Sequence, residues 1–253
     1  MRDDRITIRT TQIVILVAVL ALWELVGRLA PNLWTSSPTK IAAAFWQSLL
    51  RLEILYHTGV TLGESLAGLF AGAVIGIALG LMLGVSRIIG AALEPFIVAL
   101  NSLPRVALAP LIIMFVGIGF ASKFLLSFSL VVVPMMINTY EGIRATEPIL
   151  VNVLRVMRAS PLQIFLKVLL PNCIPWIFSG LRVGISFAIV GAIVGELISS
   201  RAGIGYMIDT AAGSFDATGM LMPLVVLMLV SFVLDRAVLH TSRRLLRWRE
   251  HTS

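Results

Sequence analysis

The sequence predicts an all-α integral membrane protein with about six transmembrane helices. Three observations carry this. Hydrophobic residues make up 58% of the 253-residue chain and charged residues only 13%. A soluble domain averages about a quarter charged, so a soluble particle of this composition could not cover its surface. Mean hydropathy is +0.97. The apolar residues also fall into runs of the length needed to cross a bilayer, about 20 residues. Disorder is excluded by the same composition, because disordered chains are poor in apolar residues.

Six segments qualify as spans: Gln12–Gly27, Thr61–Val85, Leu93–Val116, Phe124–Tyr140, Ile174–Ser199 and Met220–Leu239. The first follows Arg2, Arg5 and Arg9 as a secretory signal would. No small-x-small cleavage site follows it, and it leads into Trp23-Glu24-Leu25 and Arg28, so it reads as an uncleaved span. Residues 30–58 form an outer connection with Ile41, Phe45, Leu49 and Leu52 at helical spacing. Three regions result: 1–57, a first span with this connection; 58–240, the transmembrane core; and 241–253, a basic tail.

The second span carries Gly68, Gly72, Gly76, Gly80 and Gly84, one every four residues. On a helix these form one face without side chains, which lets a neighbouring backbone approach closely. Each glycine costs about 1 kcal/mol in a helix interior, so five in register imply a packing need, static or sliding. The third span is interrupted by Asn101, Ser102, Pro104, Arg105 and Pro110. Proline removes a helix hydrogen bond. A charged residue at membrane depth must face a cavity or a partner. Broken helices with polar residues near the midplane line transport routes. Asn101, Arg105, Asn138 and Glu196 are therefore candidates for a translocation path. The alternative for Arg105 is a structural pair with Glu196 or another carboxylate.

Net charge is +7 and pI about 10.5. The basic residues sit in short connections beside apolar spans, where they set orientation rather than bind nucleic acid. With the N-terminus inside, 14 Lys and Arg residues fall on the inner side and 5 on the outer (Arg28, Lys40, Arg51, Lys123 and Arg201), with Arg105 within a span. Both termini and the 141–173 loop are thus expected in the cytoplasm. The single cysteine, Cys173, precludes an intrachain disulfide. His57, His240 and His251 are far apart, and no metal-ligand spacing occurs.

The 141–173 loop is more than a turn. Residues 149–158 suit one short helix. Ser160-Pro161-Leu162-Gln163 reads as the start of a second, with Ser160 capping, Pro161 at the first helical position and Gln163 closing a capping box. This second helix is expected to end at Pro171. Ile149, Val153, Val156 and Met157 form one apolar stripe, and Leu162, Phe165, Leu166 and Leu169 another. Such helices suit docking into a groove on another protein, or lying on the membrane surface.

This loop resembles the signature of the transmembrane permease subunits of bacterial ATP-binding-cassette importers: Glu-Ala-Ala, three residues, Gly, nine residues, Ile-x-Leu-Pro. Here the register places Asn152-Val153-Leu154, then Arg158, then Val168-Leu169-Leu170-Pro171. The spacing and the Leu-Pro match. The Glu-Ala-Ala triplet does not, and Arg158 replaces the glycine. A left-handed Arg158 would cost about 1–2 kcal/mol, so either the turn is built differently or Arg158 makes a specific contact. Pro104–Leu111, Phe115–Gly119, Ser122-Lys123, Phe128, Pro134, Asn138-Thr139, Gly142, Ser179–Arg182, Glu196–Ile198 and Gly203–Tyr206 are similar to the nitrate/sulfonate/taurine branch of that family.

The resemblance implies a type I importer permease fold. It implies two permease copies, most simply a homodimer, with two ATPase subunits docked on the loop helices and a periplasmic or extracellular solute-binding protein. The cargo would be a small, anionic, sulfonate-, taurine- or nitrate-like solute, or alternatively an aromatic acid or pyrimidine precursor. The ATPase-docking residues would be Asn152, Arg155, Arg158, Ala159, Ser160, Pro161, Gln163, Phe165, Leu170 and Pro171. ATP and Mg would bind the partner ATPase, with no cofactor on this chain. A P-loop needs Gly-Lys-Ser/Thr, whereas Lys40, Lys123 and Lys167 are the only lysines and none follows a glycine. An ion-driven transporter would need intramembrane carboxylates as a relay. Glu24, Glu64, Glu94 and Asp235 read as near a membrane face and Glu196 as deeper. No catalytic or zinc motif supports a membrane enzyme.

Overall fold

The computed structural model describes residues 2–29 and 35–246. Among these residues there are helices and connections and no strands. Helices α1 (Arg2–Leu29), α2 (Pro38–Leu50), α3 (Glu53–Val85), α4 (Arg87–Ser102) and α5 (Ala109–Val116) are followed by α6 (Phe120–Arg144), α7 (Pro148–Val156) and α8 (Pro161–Ile164). Then come α9 (Leu170–Ile198), α10 (Ile204–Gly213) and α11 (Ala217–Leu245). Five helical segments of the described residues are long and apolar enough to cross a membrane, and a bent pair makes a sixth. The bent pair is Ile88–Ser102 with Arg105–Val116, turned by 72° at Leu103-Pro104. This is the interruption expected from the prolines.

The glycine stripe explains the centre of the bundle. A Cβ at Gly76 would stand 2.6 Å from both Met135 Cβ and Val132 O, and one at Gly84 2.6 Å from Ile143 Cβ. Gly68, Gly72 and Gly80 abut Ser127, Val131 and Thr139 in the same way. Both stripes ascend in steps of four, so α3 and α6 run parallel in backbone contact. α9 packs against both α6 and α3, antiparallel to α6: Gly191 lies on Ser127, Gly195 on Lys123, Gly180 on Asn138 and Gly184 against Leu69 of α3. In lipid, such close approach supplies the association that the hydrophobic effect cannot. α6 is accordingly the most enclosed span and α1 the least. α1 is tied down at its end, where Trp23 Nε1 donates to Ser36 O (3.0 Å) and Glu24 accepts from the Thr39 amide (3.1 Å) and hydroxyl (2.7 Å).

Two expectations differ from the structure. The second loop helix does not end at Pro171. The chain stays helical from Pro161 to Ile198. A π turn at Phe165–Leu169 makes this possible: Leu170 N–H reaches back five residues to Phe165 O. The widened turn accommodates the proline ring and its missing donor. Leu52 is not on the buried face of the outer connection; it lies past α2, exposed, at φ 58°. The Gly-rich stretch 200–219 contains a helix of its own, α10. The tail expected from residue 241 begins inside α11, and residues 247–253 lie outside the described residues.

Candidate functional site

The loop between α6 and α9 is rigidly specified at both of its turns. α7 ends in a motif with two backward bonds: Arg158 N–H to Arg155 O (2.9 Å) and Ala159 N–H to Leu154 O (2.9 Å). This geometry places Arg158 at the left-handed position where glycine is favoured, and its φ is 56°. The turn is therefore built as a glycine would build it, with arginine in its place. Arg158→Gly should raise stability by about 1 kcal/mol. Thermal unfolding of the purified chain checks this, and an unchanged or lower midpoint would count against it. At the next turn the predicted capping box is present. Ser160 Oγ accepts from Gln163 N (3.3 Å), and Gln163 Oε1 accepts from Ser160 N (2.8 Å).

The loop presents an unusual surface. Ile149, Val153, Val156, Met157, Leu162 and Leu166 are all exposed, Val156 at 85%. Exposed apolar side chains grouped on a connection outside the long apolar spans suit an interaction surface. Phe165, Leu170 and Pro171 are half-buried, at the base where the loop joins α9. Asn152 and Arg155 sit on the other face of α7, with Pro148 and Val151, turned toward the bundle. The predicted docking set is thus split between two faces.

On the membrane-embedded side, Asn101, Arg105 and Asn138 line one cavity of about 430 Å³ with Leu130, Ile137 and Phe187. The 3₁₀ turn Arg105–Leu108 at the break holds the arginine, and its guanidinium donates to Ser129 O (3.0 Å). Asn138 Nδ2 donates to Pro134 O (2.9 Å), a carbonyl four residues back on α6. Among the described residues no carboxylate lines this cavity. Glu196 does not join these residues, and Arg105 does not pair with it.

Glu196 belongs instead to a buried polar cluster at the other end of α6. It is 1% exposed. Its carboxyl accepts from Thr61 Oγ1 (2.7 Å) and from the Gly205 amide (2.6 Å). Thr61 Oγ1 accepts from Ile204 N (2.8 Å), and His57 Nδ1 accepts from Gly203 N (3.0 Å). Beside them Lys123 pairs with Glu64 at 3.2 Å and donates to Ser200 Oγ (2.8 Å). The start of α10 is thereby tied to α3, α6 and α9. Sequence reasoning placed Lys123 in an outer connection and missed its burial. Asp235 is held by Arg182 through two bonds (2.6 and 3.1 Å), and Glu24 by Arg28 (2.7 Å). Four of the five carboxylates considered for an ion relay are thus engaged with fixed partners.

Comparison with known proteins agrees with this geometry. Residues 72–247 match the family model described as "Binding-protein-dependent transport system inner membrane component". The chain is 37% identical over 237 residues to the "Riboflavin transport system permease protein RibX" of Chloroflexus aurantiacus, covering 93% of this chain and 88% of that one. It is 30% identical to the "Putative aliphatic sulfonates transport permease protein SsuC" of Bacillus subtilis, over 91% of this chain and 84% of that one. It is 27% identical to the "Taurine transport system permease protein TauC" of Escherichia coli, over 80% and 74%. Among solved structures, an inward-facing form of the MetNI methionine ABC transporter matches with a TM-score of 0.65 at 22% identity, covering 73% of this chain and 92% of that one. That likeness shows the type I importer permease fold. The spans, the broken third span and the twice-capped loop are therefore those of a permease subunit, and the chain belongs to the family of binding-protein-dependent transport system inner membrane components, the membrane-spanning subunits of ABC importers.

Proposed function

We propose that this permease works as a pair of identical copies, with both termini and the α7–α8 loop in the cytoplasm. Each loop docks on one of two separate ATPase subunits, which bind ATP and Mg. Closure of the ATPases on ATP turns the path outward to receive a solute from a periplasmic or extracellular binding protein. Hydrolysis resets it. The observation that carries this reading is the exposed apolar patch on two short helices with locked turns, fused through the π turn to α9. A push on α8 is transmitted along one continuous helix into the bundle. The excess of basic residues on that side supports the orientation.

The test uses Ser160→Cys. Cys173 is fully buried and is the only native cysteine, so it gives a quiet background. A crosslink from position 160 to the cognate ATPase is expected, and its absence in every nucleotide state would contradict docking.

The cavity holding Asn101, Arg105 and Asn138 is proposed as part of the path, and its cargo as a small anion of the sulfonate, taurine or nitrate class. One guanidinium and two primary amides facing a cavity without carboxylates support an anion. An aromatic acid, a pyrimidine precursor or a flavin-like solute is the second reading, favoured by the riboflavin-system relative. Arg105→Ala should weaken uptake of the anion about 10- to 100-fold, the worth of a hydrogen bond to a charged group. Unchanged uptake and affinity in vesicles would remove Arg105 from the path. Ligand screening of the neighbouring binding protein separates the substrate classes.

A further inference from the structure

On the loop side of the bundle a cavity of about 900 Å³ opens between the ends of α3 and α6, the start of α4, and α7. Arg144, Thr146, Asn152 and Arg155 contribute its polar wall, and no carboxylate lines it among the described residues. Neither Arg144 nor Arg155 has an ion-pair partner among the described residues. Arg144 lies 5.6 Å over the Tyr140 ring, which orients it without neutralising it. The nearby Glu141 and Glu147 are exposed and off the wall. Thr146 is 9% exposed, and its hydroxyl has no hydrogen-bond partner. A buried hydroxyl left unpaired is costly and calls for one. Two exposed guanidiniums without carboxylate partners, on the wall of one cavity with Thr146, can hold an anion between them.

We infer that this cavity binds a phosphate group bearing net negative charge, in an anionic phospholipid headgroup or as a free ion. The inference rests on the cytoplasmic placement of the loop proposed above. A headgroup fits the surroundings: Ile88 and Ile89, at the start of α4 beside the cavity, are exposed and suited to acyl chains. The bound phosphate links Arg144 at the end of α6 to Arg155 on α7, bracing α7 against a span. Pro148, Val151, Asn152 and Arg155 face the cavity, while Ile149, Val153, Val156 and Met157 face outward. Phosphate and ATPase therefore occupy opposite sides of α7 and bind together.

The test is native mass spectrometry and thermal unfolding of the permease–ATPase complex in three preparations: phosphatidylcholine nanodiscs, the same with phosphatidylglycerol, and the first with added inorganic phosphate. One phosphatidylglycerol retained per permease, with a raised unfolding midpoint, is expected. Arg144→Gln/Arg155→Gln should lower that retention about tenfold, given the strength of charge-assisted hydrogen bonds. Thr146→Val should lower it less, and Arg201→Gln, an exposed arginine outside the cavity and the loop, should leave it unchanged. An equal midpoint rise with inorganic phosphate identifies a free anion as the ligand. The inference is overturned if both lipids are retained alike and phosphate has no effect, or if the double variant keeps its lipid. It is also overturned if phosphatidylglycerol is held only by permease stripped of ATPase, since an acidic ATPase side chain then fills the space. The Ser160→Cys crosslink reads docking separately, so loss of one result leaves the other intact.

Discussion

Gly76→Val should leave little folded protein. The added Cβ would meet Val132 O at 2.6 Å and Met136 N at 3.1 Å, both backbone atoms of α6. No rotamer change can clear backbone, so α3 and α6 must separate along their whole contact. Overpacking costs about 1–3 kcal/mol even where side chains can shift, and whole domains hold only about 5–15 kcal/mol. The same helix carries its own control. Cβ atoms at Gly59 and Gly63 would meet nothing within 4 Å, so Gly63→Ala should gain up to about 1 kcal/mol from helix propensity. Reactivity of Cys173 on heating reports both outcomes, since that thiol is fully buried and sits on α9 against Thr139 O of α6 (3.3 Å). Equal midpoints for the two variants would mean that the glycine face is not a packing surface.

Removing Lys123 should be nearly as damaging. Lys123 and Glu64 are about 95% or more buried and paired at 3.2 Å. Lys123→Met leaves Glu64 without a counter-charge, at a cost of about 3–5 kcal/mol. Adding Glu64→Leu should recover most of it, because a buried pair and well-packed apolar residues are often of similar stability. A double variant no more stable than Lys123→Met would show that the lysine acts through Ser200 instead. Glu196→Ala strips partners from Thr61 and the Gly205 amide. Limited proteolysis should then cut first within 200–213, as α10 comes loose.

These two predictions also mark what was legible in the sequence. The five glycines at four-residue spacing announced a close helix contact, because lipid leaves few other reasons for such a face. The partner was not legible, since Ser127, Val131, Met135, Thr139 and Ile143 share a spacing but no composition. Extending the glycine register one step outward reaches Glu64, and the same step on α6 reaches Lys123. That signal pointed to the buried pair, but charge near a span end reads as interfacial until the partner helix is known. The capping box at Ser160 was readable because it is local chemistry. The continuous helix through Pro171 was not, because proline usually stops a helix and the π turn that rescues it has no sequence mark. Asn101, Arg105 and Asn138 were singled out one by one as polar groups at membrane depth. Only the 72° bend brings the first two onto Asn138 of α6.

In the proposed mechanism α7 and α8 form the handle by which a separate ATPase drives this bundle. Reconstitution of the permease in vesicles, with and without its ATPase and binding protein, tests it most directly. Uptake of the binding protein's ligand is expected only when all three proteins and external ATP on the α7–α8 side are present, and it should fail when Val156→Asp/Met157→Asp places charge on the exposed patch. Accumulation of the solute by the permease alone, driven by an ion gradient, would contradict the account.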